Sequence, residues 1–180
     1  KNNVGLILPG IAPIRNVIGG NWLYKSKSSF KHLKPFMEEI HKTGAKMFVQ
    51  LTAGFGRSFA ITGLMEMLAT NKVLGAIAKP FINIDQLTMS ASPNPNRWSD
   101  KVPSRAMTID EIHEFIKAFG KTAKMCKDAG VDGVEIHAVH EGYLLDQFTM
   151  KYTNQRTDEY GGSFENRYRF PVEIVKARPG

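Results

Sequence analysis

Cysteine is nearly missing: Cys126 is the single thiol among 180 residues. One thiol builds neither a disulfide framework nor a cysteine metal site, and a reducing, cytoplasmic setting is the default for such a chain. Cys126 falls on the apolar side of a predicted helix, which reads as a small buried hydrophobe rather than a nucleophile. Long apolar runs are also missing. A membrane span needs roughly 18 apolar residues, and the longest candidate, Phe59 to Ile82, is broken by Gly63, Glu66, Asn71, Lys72, Gly75 and Lys79. No secretory signal is visible in the given stretch, and the ends, Lys1 without an initiator Met and Arg178-Pro179-Gly180, both read as cut. A clustered basic stripe is absent as well: the net charge is +7, but the lysines are spread along the chain. With no recognisable module, nucleic acid is not an expected partner. No G-x-G-x-x-G follows an apolar run, which weakens a nucleotide-binding open sheet.

What is present is a core and an alternation. A hydrophobic content of 42% supports one core, and no second domain needs to be invoked. Val4 to Leu8 is a short apolar run closed by Pro9-Gly10 and reads as a buried strand followed by a loop. Ser29 to Thr43 carries Phe30, Leu33, Phe36, Met37 and Ile40 at helical spacing, with Pro35 moving the expected start later and Gly44 stopping it. Lys46 to Leu51 is the next strand. Residues 52–107 are too long for an ordinary connection. Leu64 to Ile82 within them has enough apolar residues to pack as a lid or subdomain, and Ser90 to Arg105 reads as extended loop. Thr108-Ile109-Asp110-Glu111 is a capping box. It opens a helix whose apolar face is Ile112, Phe115, Ile116, Phe119, Ala123 and Cys126, and Gly130 stops that helix. Val131 to His137 is the third strand. Ser163 to Ala177 is the last helix, with Phe164, Phe170, Ile174 and Val175 as its apolar positions. Strand and helix alternate, which predicts parallel strands joined by right-handed crossovers.

The chemistry gathers after strand ends: Gln50 on the second strand, His137 and His140 after the third, and Tyr143 on the loop beyond. In a barrel that is the catalytic face. Imidazoles donate to a carbonyl oxygen and a phenol delivers a proton. Together they suit a reaction that builds negative charge on an oxygen and then protonates a carbon. His-x-x-His supplies at most two metal ligands, so zinc is the lesser reading. A lone histidine at a strand end is more often structural; two with a tyrosine within seven residues point to a site.

A family resemblance sharpens this. Asp132-Gly133-Val134-Glu135-Ile136-His137, Gly142-Tyr143-Leu144, Gln147-Phe148, Asn154, Arg156, Asp158, Tyr160-Gly161-Gly162-Ser163 and Asn166-Arg167 resemble the fourth strand and following loop of the Old Yellow Enzyme family, with its 2,4-dienoyl-CoA reductases. The wording HAVHEGYLLDQF is similar to clostridial 2-enoate reductases and bile-acid-pathway flavin oxidoreductases. Upstream, Gln50-Leu51, Gly56-Arg57, Ser90-Ala91-Ser92 and Val4 to Ile7 also match. The resemblance implies an α/β fold, a partial (β/α)₈ TIM barrel of roughly strands 2 to 4 with their helices. It implies FMN, with NADH or NADPH as reductant, and reduction of the C=C bond of α,β-unsaturated carbonyl compounds such as enoates, enoyl- or dienoyl-CoA esters or steroid-CoA enones.

It also implies roles. Tyr143 would protonate, His137 and His140 would hold the substrate carbonyl, and Gln50, Gly10 and His137 would touch the flavin. This chain departs from the pattern in two places: Thr52 to Phe55 stand where many members have a histidine, and Tyr143 is six residues after His137 rather than five. Either His140 or Glu141 could therefore fill the second carbonyl-binding position. The Asn154 to Arg167 block reads as structural. Relatives carry 4Fe-4S and FAD outside the stretch represented here, and an oligomer is left open. The phosphate site of such barrels follows the seventh and eighth strands, so this stretch alone is expected to bind FMN weakly. Two other readings stand beside the reductase: a non-catalytic fragment or degenerate homologue, and an unrelated TIM-barrel hydrolase or lyase.

Overall fold

Strand β3, Lys46–Thr52, organises the fold, because strands pair with it in parallel on both edges. The computed structural model describes residues 3–138 and 142–177. On one edge lie β1 (Leu6–Ile7) and β2 (Ala12–Pro13), in register with Lys46–Met47 and Leu51–Thr52. On the other lies β6 (Gly133–Ile136), in register with Phe48 to Leu51. A short parallel pair, β4 (Met89–Ser90) and β5 (Arg105–Ala106), stands apart. Between them run α1 (Lys27–Lys42), α2 (Gly63–Thr70), α3 (Lys72–Ala78), α4 (Ile84–Leu87) and α5 (Ile109–Asp128); α6 (Leu144–Thr149) and α7 (Phe164–Lys176) follow β6.

Side chains alternate across a strand, so each strand has two faces. Val49, Leu51, Val134 and Ile136 face the helices. They pack with Phe115 and Phe119 of α5, Phe148 of α6 and Phe170 and Ile174 of α7. Val49 and Val134 also meet Phe30 and Leu33 of α1 and Cys126. Burial pushes the Cys126 thiol up to about 11, in keeping with a packing role. The opposite face carries Phe48 against Gly133 and Gln50 against Glu135. A Cβ at Gly133 would run into the Phe48 ring.

The capping box at Thr108 is formed: its side chain accepts from the Glu111 amide at 3.1 Å, and the Glu111 carboxylate accepts from the Thr108 amide at 2.9 Å. Arg105 then grips the same carboxylate through two nitrogens at 2.6 and 2.8 Å.

Four expectations need correction. The first strand is neither buried nor as long as Val4 to Leu8: only Leu6–Ile7 pair, Val4, Leu6 and Leu8 are exposed, and after Pro9, which offers no N–H to a ladder, pairing resumes at Ala12–Pro13. Helix α1 begins at Lys27, eight residues before Pro35, which sits inside it on an exposed turn; Phe36 is 52% exposed and outside the core. In α7, Phe170 and Ile174 are buried, whereas Phe164 and Val175 face outward. Leu64 to Ile82 does fold into two helices, but neither α2 nor α3 buries a residue.

Candidate active site

The C-terminal ends of β3 and β6 place the predicted chemistry on one face. Gln50 and Glu135 are register partners, and their side chains join through a hydrogen bond from the amide of Gln50. One pleat further along, His137 leaves β6 with its backbone N–H donating to the Leu51 carbonyl at 2.8 Å. Residues 133, 135 and 137 alternate onto the same side, away from the helices. The Tyr143 ring comes to 5.3 Å from the His137 ring, centroid to centroid, tilted by 40°. Tyr143 and His137 are thus brought together, with Gln50 on the adjoining strand. His140 and Glu141 lie outside the described residues. Gly10 falls in the break between β1 and β2 and is exposed, short of the strand end at Pro13.

Tyr143 is held from two sides. Phe55 packs edge-on against it at 4.7 Å. The Asp146 carboxylate accepts from the backbone N–H of Gly142 and of Tyr143, each at 3.0 Å, which fixes the start of α6. The segment carrying Phe55 is in turn fastened by Gln147, which is fully buried. Its amide nitrogen donates to the carbonyls of Phe55 at 2.9 Å and Gly142 at 2.6 Å, and its oxygen accepts from the Arg57 amide at 3.1 Å. This clamp explains Gly56: its φ is +56°, and a Cβ there would collide with the Gln147 side chain. In the sequence Gln147 stands out only as part of the Gln147-Phe148 motif, with no role of its own. Glycines at 54 and 56 around Phe55 were the available signal that a special backbone was needed there.

The loop after α6 is tied down as expected. Arg156 pairs with Asp158 at 2.6 Å and also donates to the Ala91 and Met107 carbonyls. Asn154 bridges the carbonyls of Phe148 and Tyr160, both at 2.7 Å. Arg167 donates to the carbonyls of Thr149 and Gly162. At the opposite end of the sheet, Asp132 accepts from His41 at 2.8 Å, from the Met47 amide at 3.0 Å and from Lys46 at 3.0 Å. Those bonds, His41 first, hold its carboxyl well below the usual range. It braces the strand starts and is remote in register from His137.

Residues 18–178 match the NADH:flavin oxidoreductase / NADH oxidase family. The chain belongs to that family. It is 40% identical over 183 residues to cinnamate reductase of Clostridium sporogenes, covering 98% of this chain and 24% of that protein. It superposes on Old Yellow Enzyme from a Pichia species with a TM-score of 0.70 and 29% identity, covering 98% of this chain and 44% of that one. It superposes on morphinone reductase in complex with tetrahydroNAD with a TM-score of 0.69 and 26% identity, covering 96% of this chain and 47% of that one. The chain therefore spans about a quarter of the cinnamate reductase it matches and under half of these two structures. As a member of the flavin oxidoreductase family, its parallel sheet with outer helices is a portion of the family's (β/α)₈ barrel. The face bearing Gln50, Glu135 and His137 is the one turned away from the helices, and His137 and Tyr143 follow the C-terminal end of β6.

The donor set suits part of a flavin site. Gln50 keeps its amide oxygen without a partner among the described residues, so it can accept from a ring N–H while its nitrogen donates to a ring carbonyl. Among the described residues no group of three or more His, Cys, Asp or Glu could hold a metal ion. Nor is any described helix long and apolar enough to cross a membrane.

Proposed function

We propose that the protein carrying this chain is an FMN-dependent ene-reductase, and that this chain supplies the carbonyl-binding and protonating wall of its site. The observation that carries the reading is the pairing of His137 with Tyr143 at the strand mouth, one pleat beyond Gln50. The chemistry a bound FMN supplies is two-electron reduction of the alkene at the expense of NAD(P)H. Gln50 would hold the pyrimidine edge of that ring. The His137 imidazole would donate to the carbonyl oxygen of an α,β-unsaturated substrate and steady the enolate-like charge that develops there. His140 or Glu141 would take the second position on that oxygen. The Tyr143 hydroxyl would deliver a proton to the α-carbon, with Phe55 and the Asp146 cap fixing its ring. Gly10 is kept as a flavin contact only if the segment around it moves to the strand end.

Residues 52–107 would form a covering segment at this mouth. Enoates are the favoured substrate class, since a 40% identical relative is a cinnamate reductase. Iron–sulfur and FAD groups, if the protein uses them, would be held by residues outside this chain, whose one thiol is buried. A reducing, cytoplasmic setting fits that single thiol.

Tyr143→Phe in the flavin-loaded protein tests the assignment. Alkene reduction should slow by roughly 10²–10⁴-fold, while reduction of the flavin by NAD(P)H stays within about threefold, as measured by stopped-flow in separate half-reactions. Equal losses in both half-reactions would remove Tyr143 from the role of proton donor.

A further inference from the structure

A cavity of about 490 Å³ opens beyond the ends of β2 and β3 on the helix-bearing side, and neither His137, Tyr143 nor Gln50 lines it. Its volume lies within the range of small-molecule sites. Its walls come from two parts of the chain that meet at the Gly19 N–H, which donates to the Phe81 carbonyl at 2.7 Å. Phe55, Phe59 and Phe81 supply rings to the wall, and Arg15 supplies a cation.

Arg15 is fastened on two sides. Its Nε donates to the Gly20 carbonyl at 3.0 Å, and its guanidinium lies 4.9 Å over the Trp22 ring. Trp22 in turn packs edge-on against Phe115 at 5.0 Å. The two terminal nitrogens of Arg15 have no hydrogen-bond partner among the described residues, and no carboxylate there lies within ion-pairing distance. The nearest acids act only through space, because Glu111 is engaged by Arg105 at 2.6 Å. Burial lowers the Arg15 pKa, an effect partly offset by Glu114 and Glu111. A half-buried guanidinium with no counter-charge in contact is costly, and its free fork matches the two oxygens of a carboxylate.

We propose that this cavity is a second binding site, separate from the His137–Tyr143 mouth, for an aromatic monocarboxylate. The carboxylate meets the free edge of Arg15, and the planar body lies among Phe55, Phe59 and Phe81. One fixed guanidinium with an exposed lysine, Lys79, at the rim suits a single negative charge. Phe55 is shared: one side of it lines the cavity and the same ring packs on Tyr143. An occupant therefore holds the ring that positions the proposed proton donor without touching it. The assignment does not depend on the flavin reading.

Photolabelling of the flavin-loaded full-length protein with 4-benzoylbenzoate, followed by peptide mapping, tests it. Label should fall on residues 15–22 and 76–87. Yield should drop about tenfold with the neutral 4-benzoylbenzamide and in Arg15→Gln, the loss expected for one charge-assisted contact. Ala76→Trp, at an exposed position lining the cavity, should abolish labelling and serves if Arg15→Gln fails to fold. Label confined to residues 137–143 would assign the ligand to the catalytic mouth and overturn the proposal while leaving the reductase reading intact. Equal labelling by acid and amide, or label scattered over the surface, would overturn it as well.

Discussion

Two stretches of this molecule are both helical and rich in apolar residues, yet only one is built into the core. From Thr108 onward, α5, β6, α6 and α7 interlock through Phe115, Phe119, Phe148 and Phe170, and buried polar side chains such as Gln147 and Asn154 find backbone partners. Between Phe59 and Leu87, α2 and α3 turn Leu64, Met67, Val73 and Ile77 outward. That region is moored at a few points: the Gly19–Phe81 backbone bond, buried Ile84, and Glu66 with Ser99 at 2.9 Å and Lys101 at 2.6 Å. Apolar composition and helical spacing therefore establish that a segment is helical, while burial depends on which neighbours the topology brings to it.

Single substitutions can sharpen or break that contrast. The largest effect is expected at Phe170, fully buried and edge-on to Phe148 at 4.9 Å. Phe170→Ala should cost about 3–5 kcal/mol, read from urea denaturation. Gly56→Ala comes next, at about 2–3 kcal/mol, because it combines a left-handed backbone with a collision against Gln147. A wild-type midpoint for that variant would mean that the Gln147 clamp yields freely. Acid titration should expose a smaller term. The Asp132 carboxyl is held below its ordinary value in the folded state, so its stabilisation is present above about pH 4 and fades as pH falls toward the folded value. Asp132→Asn should flatten the acid limb of a stability–pH curve, and an unchanged limb would assign the acid sensitivity elsewhere. The smallest effect is expected at Ile77, which is 67% exposed: Ile77→Ala should stay within about 0.5 kcal/mol. A cost near that of Phe170→Ala would show α3 to be packed after all.

The same contrast explains what could be read from sequence. His137 and Tyr143 are six residues apart and follow one strand end, so local order alone brought them together. The helix faces of α5 were legible because Ile112, Phe115, Phe119 and Cys126 recur at helical spacing and all four are buried. The Gln147 clamp was not legible, since its partner Phe55 stands on a different element and the bond runs to backbone, which carries no residue signature. The resumed pairing at Ala12 was hidden by Pro9, a residue that signals a stop without saying whether the ladder restarts. Arg15 carries no local signal, because whether its terminal nitrogens find partners depends on what surrounds them in space.

The Phe48 ring over Gly133 has a wider consequence. A slip of β6 against β3 by one residue would send Glu135 and His137 to the helix side while Gln50 kept its face, parting the pair. A bulky ring seated in the one notch where a side chain is missing works as a detent on that sliding motion. The register that sets Gln50 beside Glu135 and carries His137 onto the same face is thus indexed by a purely apolar feature two pleats below His137.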